Sequence, residues 1–90
     1  MQFEWDERKA AKNRLKHGVS FEEASTAFGD PLSITIEDPL HSEDENRLVL
    51  IGKSEWFNTL VVVHLEKKDM IRIISARKAS KKERKVYEEQ

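Results

Sequence analysis

The sequence predicts an α+β domain: a short N-terminal strand, a two-helix hairpin, an antiparallel β-meander packed on the helices, and a C-terminal helix. Three observations carry the assignment. Residues 6–28 place apolar side chains at helical spacing between capping residues. Residues 32–76 hold four β-rich runs, the first followed by an acidic loop and the last three joined by short connections. From Lys78 onward the chain returns to a lysine-rich helical pattern. With 90 residues the chain forms one domain, residues 1–90, and its 38% apolar content builds one core. Chains of this size bury roughly 60 to 70% of their unfolded surface, so the absence of cysteine does not endanger folding. It does remove disulfides, thiolate zinc sites and cysteine nucleophiles, and it suits a reducing cytoplasm. No apolar run approaches the ~20 residues of a membrane span, and the charged first twenty residues lack a signal-peptide core; a soluble, cytoplasmic protein with no membrane partner is expected.

Each element has a local reason. Phe3 to Trp5 is a short apolar opening fit for an edge strand. Asp6 stands where an N-cap belongs, with Ala10, Ala11 and Leu15 at helical spacing behind it, and Gly18 is a left-handed C-cap. Ser20-Phe21-Glu22-Glu23 reads as a capping box, and Phe21, Ala24, Ala27 and Phe28 form one apolar stripe, ended by Gly29-Asp30-Pro31. Leu32 to Ile36 alternates with period two. Arg47 to Ile51, Thr59 to Glu66 and Met70 to Ala76 continue the meander, and the last helix turns Ala79, Val86 and Tyr87 inward, with Lys78, Lys81, Lys82 and Lys85 in solvent.

The net charge of −1 hides an uneven distribution. Residues 8–17 carry +5, residues 18–66 carry −8 and residues 67–90 carry +5, which favours a basic surface for a polyanion such as RNA. The competing reading is a solvated surface of helical Glu–Lys pairs. A three-residue turn Lys67-Lys68-Asp69 sets Glu66 against Met70, Leu65 against Ile71, His64 against Arg72 and Val63 against Ile73. That register places His64 and Arg72 on one face. They are then either a general acid or base beside a phosphate clamp, or a histidine at the margin of a packed surface satisfied by an arginine. Arg47 and Arg77, at strand ends, lie at the rim of the same surface or face solvent. Lys16 and His17 close the first helix, where the helix dipole favours cations whatever their function. The acidic run His41 to Glu45 has no HExxH or EF-hand spacing, so neither metal nor cofactor is expected. There is no Gly-rich phosphate loop and no GxSxG elbow. Trp56-Phe57, in a turn, either stacks on bases or covers the core.

Four segments, FEWDERKAAKNRLKHGVSFEEA (residues 3–24), Asp30-Pro31, HSEDENR (residues 41–47) and RIISARKASKKER (residues 72–84), together closely resemble the BrnT family. The resemblance implies a RelE/ParE-like fold and a ribonuclease toxin of a type II toxin-antitoxin pair. It also implies a BrnA-like ribbon-helix-helix antitoxin as partner, and contact with DNA only through that antitoxin. Family positions fall on Lys16, His17, Glu45, Arg47, Arg72 and Arg77. Metal-independent RNA cleavage needs proton transfer and cations for developing phosphorane charge. The candidates are Arg47, Arg72 and Arg77 with His64 for catalysis, His17 being the alternative proton carrier. Lys16, His17, Lys78, Lys81 and Lys82 are the candidate RNA contacts. Two other functions stay open on the sequence alone: a non-catalytic antitoxin-binding corepressor, and a toxin acting on a protein target.

Overall fold

The caps work largely as the sequence predicts. In a computed structural model, which describes residues 1–41 and 47–90, the Asp6 carboxylate accepts the Arg8 and Lys9 amides and starts α1 (Glu7–His17). Gly18 ends α1 at φ 71°, where a side chain would be strained, and its amide reaches the Arg14 carbonyl. Ser20 Oγ accepts the Glu23 amide to start α2 (Phe21–Thr26), which runs into a 3₁₀ turn at Ala27–Gly29. Only that half of the expected capping box forms. The Glu23 carboxylate instead accepts Ser54 Oγ and Asn58 Nδ2, tying α2 to a distant turn.

Five strands form one sheet: β1 (Gln2–Glu4), β2 (Ile34–Glu37), β3 (Arg47–Lys53), β4 (Thr59–Lys67) and β5 (Met70–Lys78), in the order β1-β5-β4-β3-β2. Strands β2 to β5 are the expected antiparallel meander, and β1 joins its edge parallel to β5. Helices α1 and α2 cover one face, where Val19, Phe21, Ala24, Leu60, Val62, Ile71, Ile73 and Ala76 form the main core. On the other face, α3 (Lys81–Glu88) covers only the Ile51 and Val61 end, through Tyr87, with Ala79 just ahead of the helix packed beside it. The remainder of that second face is open. Gly52 is small because α2's exit passes over it: a Cβ there would stand 3.0 Å from the Ala27 carbonyl.

Several expectations are corrected. The β4–β5 turn has two residues, so Lys67 opposes Met70, Glu66 opposes Ile71, Leu65 opposes Arg72 and His64 opposes Ile73. One residue is then bulged at Ile74, and Val63 opposes Ser75. Apolar alternation could not reveal this, because β4 is apolar on both faces and the bulge changes the facing of β5 midway. In α1 the buried position is Asn13, while Leu15 is 90% exposed. Beyond Arg72, β1 no longer borders β5, and Asn13 occupies the vacated edge. Its Oδ1 accepts the Ala76 amide at 3.1 Å, and its Nδ2 donates to the Ala76 and Val19 carbonyls at 2.8 and 3.0 Å. Val86, expected inward, is 53% exposed, whereas Tyr87 is buried as expected. Lys78 belongs to β5 rather than to the last helix, which Ser80 caps. Trp56 and Phe57 do not cover the core; both project into solvent from the β3–β4 turn.

Candidate active site

The bulge decides what faces the open side. Before it, Ile71 and Ile73 point to the helices; after it, Ala76 does, which leaves Arg72, Ser75 and Arg77 on the open side. The pairing then lines up three rows across that face: Arg47–Leu65–Arg72, Val49–Val63–Ser75 and Ile51–Val61–Arg77. A cleft of about 310 Å³ lies over these rows, with Val49, Val61 and Val63 in its floor, Arg47 and Asp38 on one wall, and Arg77 and Glu83 on the other. Ser75 and the exposed Ile36 and Leu40 complete its rim. A larger hollow of about 530 Å³ at the β4–β5 hairpin, lined by Met1, Glu66, Lys68 and Asp69, contains none of the three arginines.

Each arginine of the open face meets a carboxylate. Arg47 donates through Nε to Asp38 Oδ2 at 3.0 Å, and the other oxygen of this buried aspartate accepts the Leu40 amide. Among the described residues, neither Nη of Arg47 is engaged otherwise. Arg77 spends both Nη atoms on Glu83, at 2.7 and 2.8 Å. That fork holds the Glu83 carboxyl at about 2, far below the ordinary glutamate value, and pushes the Arg77 guanidinium up. Arg72 reaches Glu4 at 3.2 Å, and the same carboxylate accepts Lys67, so Arg72 and then Lys67 lower the Glu4 pKa. Arg72 shares the face of the cleft without lining it.

His64 does not join these groups. It is 2% exposed on the helix-covered face, its ring edge-on to Phe28 with centroids 4.8 Å apart and its Nδ1 3.3 Å from the Val62 carbonyl. Burial pushes its pKa down, so the imidazole is held neutral in the core. The expectation of a His64–Arg72 pair on one surface is therefore overturned: His64 lies on the helix-covered face and Arg72 on the open one. Lys16 is exposed and His17 half-buried at the end of α1, in the layer behind the sheet. Lys78 opposes Leu60 on that helix-covered side, while Lys81 and Lys82 are exposed on the first turn of α3. Glu45 lies outside the described residues. Among the described residues no three metal-ligating side chains converge, and no helix is long and apolar enough to cross a membrane.

Sequence reading missed Asp38, Ser75 and Glu83. Asp38 meets Arg47 only because β2 and β3 pair, and the open-face position of Ser75 depends on the bulge; neither has a local signature. Glu83 had one, since Ser80-x-x-Glu83 spells a capping box.

Comparisons with known proteins agree with this architecture. No curated protein matches the sequence. Among solved structures, the fold is similar to that of the Brucella abortus ribonuclease toxin BrnT, with a TM-score of 0.70, 24% identity, and coverage of 90% of this chain and 99% of that one. The sequence itself matches, over residues 5–83, the family model described as the ribonuclease toxin BrnT of type II toxin-antitoxin systems. That match begins just after β1 and takes in α1, α2, the whole meander and the Arg77–Glu83 pair, and the chain accordingly belongs to the BrnT family of ribonuclease toxins of type II toxin-antitoxin systems.

Proposed function

We propose that RNA is cut in the open-face cleft without a metal ion, with the Arg47 guanidinium as the phosphate clamp. The observation that carries this reading is the way Arg47 is held. Its Nε is fixed by a buried carboxylate, the residue lines the cleft, and neither Nη has another partner among the described residues. A guanidinium so placed can take two phosphate oxygens at once. The 2′-hydroxyl of the preceding ribose attacks the phosphorus and the 5′-oxygen leaves, giving a 2′,3′-cyclic phosphate and a 5′-hydroxyl. Charge grows on the phosphate oxygens in between, where fixed donors stabilise it most. With His64 behind the sheet and Glu83 held at about 2, the rate rests mainly on in-line placement of the RNA and on neutralisation by arginine. Arg72, Lys81 and Lys82 extend the positive surface for the RNA backbone, with Lys16, His17 and Lys78 as more distant contacts. The consequence is arrest of translation and growth in the cytoplasm, relieved by the cognate antitoxin. We read that antitoxin as a BrnA-like ribbon-helix-helix protein, and the toxin fold as RelE/ParE-like.

The test uses purified toxin freed of antitoxin and an RNA oligonucleotide in EDTA. Cleavage should persist. Arg47→Lys keeps a cation beside Asp38 but not the fork, and should slow cleavage by about 10²- to 10³-fold. Loss of activity in EDTA overturns the metal-free reading; wild-type cleavage by Arg47→Lys overturns the clamp.

A further inference from the structure

The two arginines of the cleft are restrained in different ways. Arg47 keeps its fork, whereas Arg77 gives both Nη atoms to Glu83, with Nη1 also 3.4 Å from the Lys78 carbonyl. A guanidinium has five N–H donors in one plane. The contacts of Arg77 leave Nε–H and the second hydrogen of Nη2 without a partner among the described residues. These two donors are neighbours on one edge of the plane and match two oxygens of a phosphate.

Glu83 is itself fixed. Its Oε1 accepts the Ser80 amide at 2.8 Å while Ser80 Oγ accepts the Glu83 amide at 3.1 Å, which closes the capping box of α3. The helix is anchored in turn by Tyr87, packed with Ile51 and Val61 and bonded through its hydroxyl to Asp30. The chain of constraint therefore runs from sheet to helix, from helix to carboxylate, and from carboxylate to guanidinium.

We propose that Glu83 is a positioning residue for RNA cleavage: it holds both Nη atoms of Arg77 so that the Nε edge of the guanidinium serves a phosphate of the RNA chain in the cleft. This rests on the reading that the open-face cleft is the nuclease site. The opposite role, a carboxylate that blocks Arg77 and must leave before RNA binds, predicts the reverse effect of its removal. The depressed carboxyl pKa supports a pair that stays closed.

Glu83→Gln separates the two roles, because glutamine also serves at this position of a capping box but offers a single acceptor oxygen to the fork. Purified toxin should then cleave an RNA oligonucleotide with kcat lowered by about 10- to 100-fold, the order expected for a misplaced catalytic group, with KM and melting temperature little changed. In an Arg77→Ala background the same substitution should lower kcat no further. Ser80→Ala, which weakens the helix cap and leaves the ion pair, should lower the melting temperature and spare kcat. The proposal is overturned by wild-type or faster cleavage in Glu83→Gln, by a change confined to KM, by an undiminished effect in Arg77→Ala, or by an equal loss of kcat in Ser80→Ala. If Arg47→Lys also cleaves at the wild-type rate, the cleft reading itself fails. If Arg47→Lys is slow while Glu83→Gln is not, only the assignment of Glu83 fails.

Discussion

Replacing Asn13 by leucine should be among the most damaging single changes outside the cleft. The side chain is nearly isosteric, so the shape of the site survives while three hydrogen bonds vanish. They are those from Nδ2 to the carbonyls of Val19 and Ala76 and that from the Ala76 amide to Oδ1. All three lie in the interior, with Asn13 7% exposed and Ala76 fully buried. Nothing on the β1 side replaces them, since β1 pairs with β5 only through Arg72. An unsatisfied buried backbone group costs about 1–3 kcal/mol, so three such groups, partly relieved by relaxation, should cost about 3–4 kcal/mol. A domain of this size is stable by only ~5–13 kcal/mol, and each kcal/mol shifts its melting temperature by about 4–8 °C. Asn13→Leu should therefore melt at least about 12 °C lower than the wild type, followed by circular dichroism. In native-state hydrogen exchange, the Ala76 amide should lose protection beyond the global loss of stability. A destabilisation under about 1 kcal/mol, with the Ala76 amide still protected, would refute the idea that Asn13 substitutes for a missing strand.

Two further outcomes follow from the faces of the sheet. Arg72→Ala should raise KM for RNA and reduce the salt slope of binding by about one phosphate contact, with kcat nearly unchanged, because Arg72 flanks the cleft and does not line it; a large loss of kcat would move it into the reacting centre. His64 has a folded pKa below its unfolded value, so the unfolded chain binds the proton more readily and stability falls as pH drops through 6.5 toward the folded value. His64→Leu should flatten the slope of stability between about pH 7 and pH 5, which one proton limits to about 1.4 kcal/mol per pH unit, and should leave RNA cleavage intact. Glu83, whose shift acts below 4.5, does not enter that window. Equal slopes in urea titrations of the two proteins would show that His64 is not the titrating group.

What the sequence disclosed depended on the range of the interaction that fixes each feature. Helix ends were legible because Asp6, Gly18 and Ser20 act on backbone groups two to four residues away. Most of the meander was legible because the connections between β3, β4 and β5 are short. The faces of β4 and β5 were not, since a two-residue turn and a bulge at Ile74 together set the register. His64 looked like an active-site residue because the three-residue turn set it beside Arg72, yet its surroundings are Phe28 and the Val62 carbonyl, brought together only by folding. Leu15 and Val86 fit a helical stripe by spacing, but each helix meets the sheet along another line, through Asn13 and Tyr87. The basic character of the site was visible in Arg47, Arg72 and Arg77. Their carboxylate partners were not: Glu83 carried a local capping-box signal, which went unread and which says nothing of Arg77.

One extra residue in β5 thus links stability to chemistry. Without the bulge, strict alternation from Ile71 and Ile73 would set Ser75 opposite Val62, burying a hydroxyl where Ala76 now packs, and would turn Arg77 away from the cleft to the position opposite Leu60. It would also turn Ala76 outward, away from the helix-facing core that it fills. With the bulge, Ala76 packs under the helices and meets Asn13, while its neighbour Arg77 stands at the cleft beside Glu83. Adjacent residues therefore serve the two sides of one sheet, and the same local irregularity that completes the core also delivers a cation to the open face. Deleting Ile74 removes the extra residue while His64 still opposes Ile73 and Val63 still opposes Ser75, so the variant should keep both faces, with cooperative unfolding and RNA cleavage retained, as should Ile74→Val, which keeps the residue count. Loss of cleavage in a well-folded deletion variant would show that the bulge does more than set the facing of Arg77.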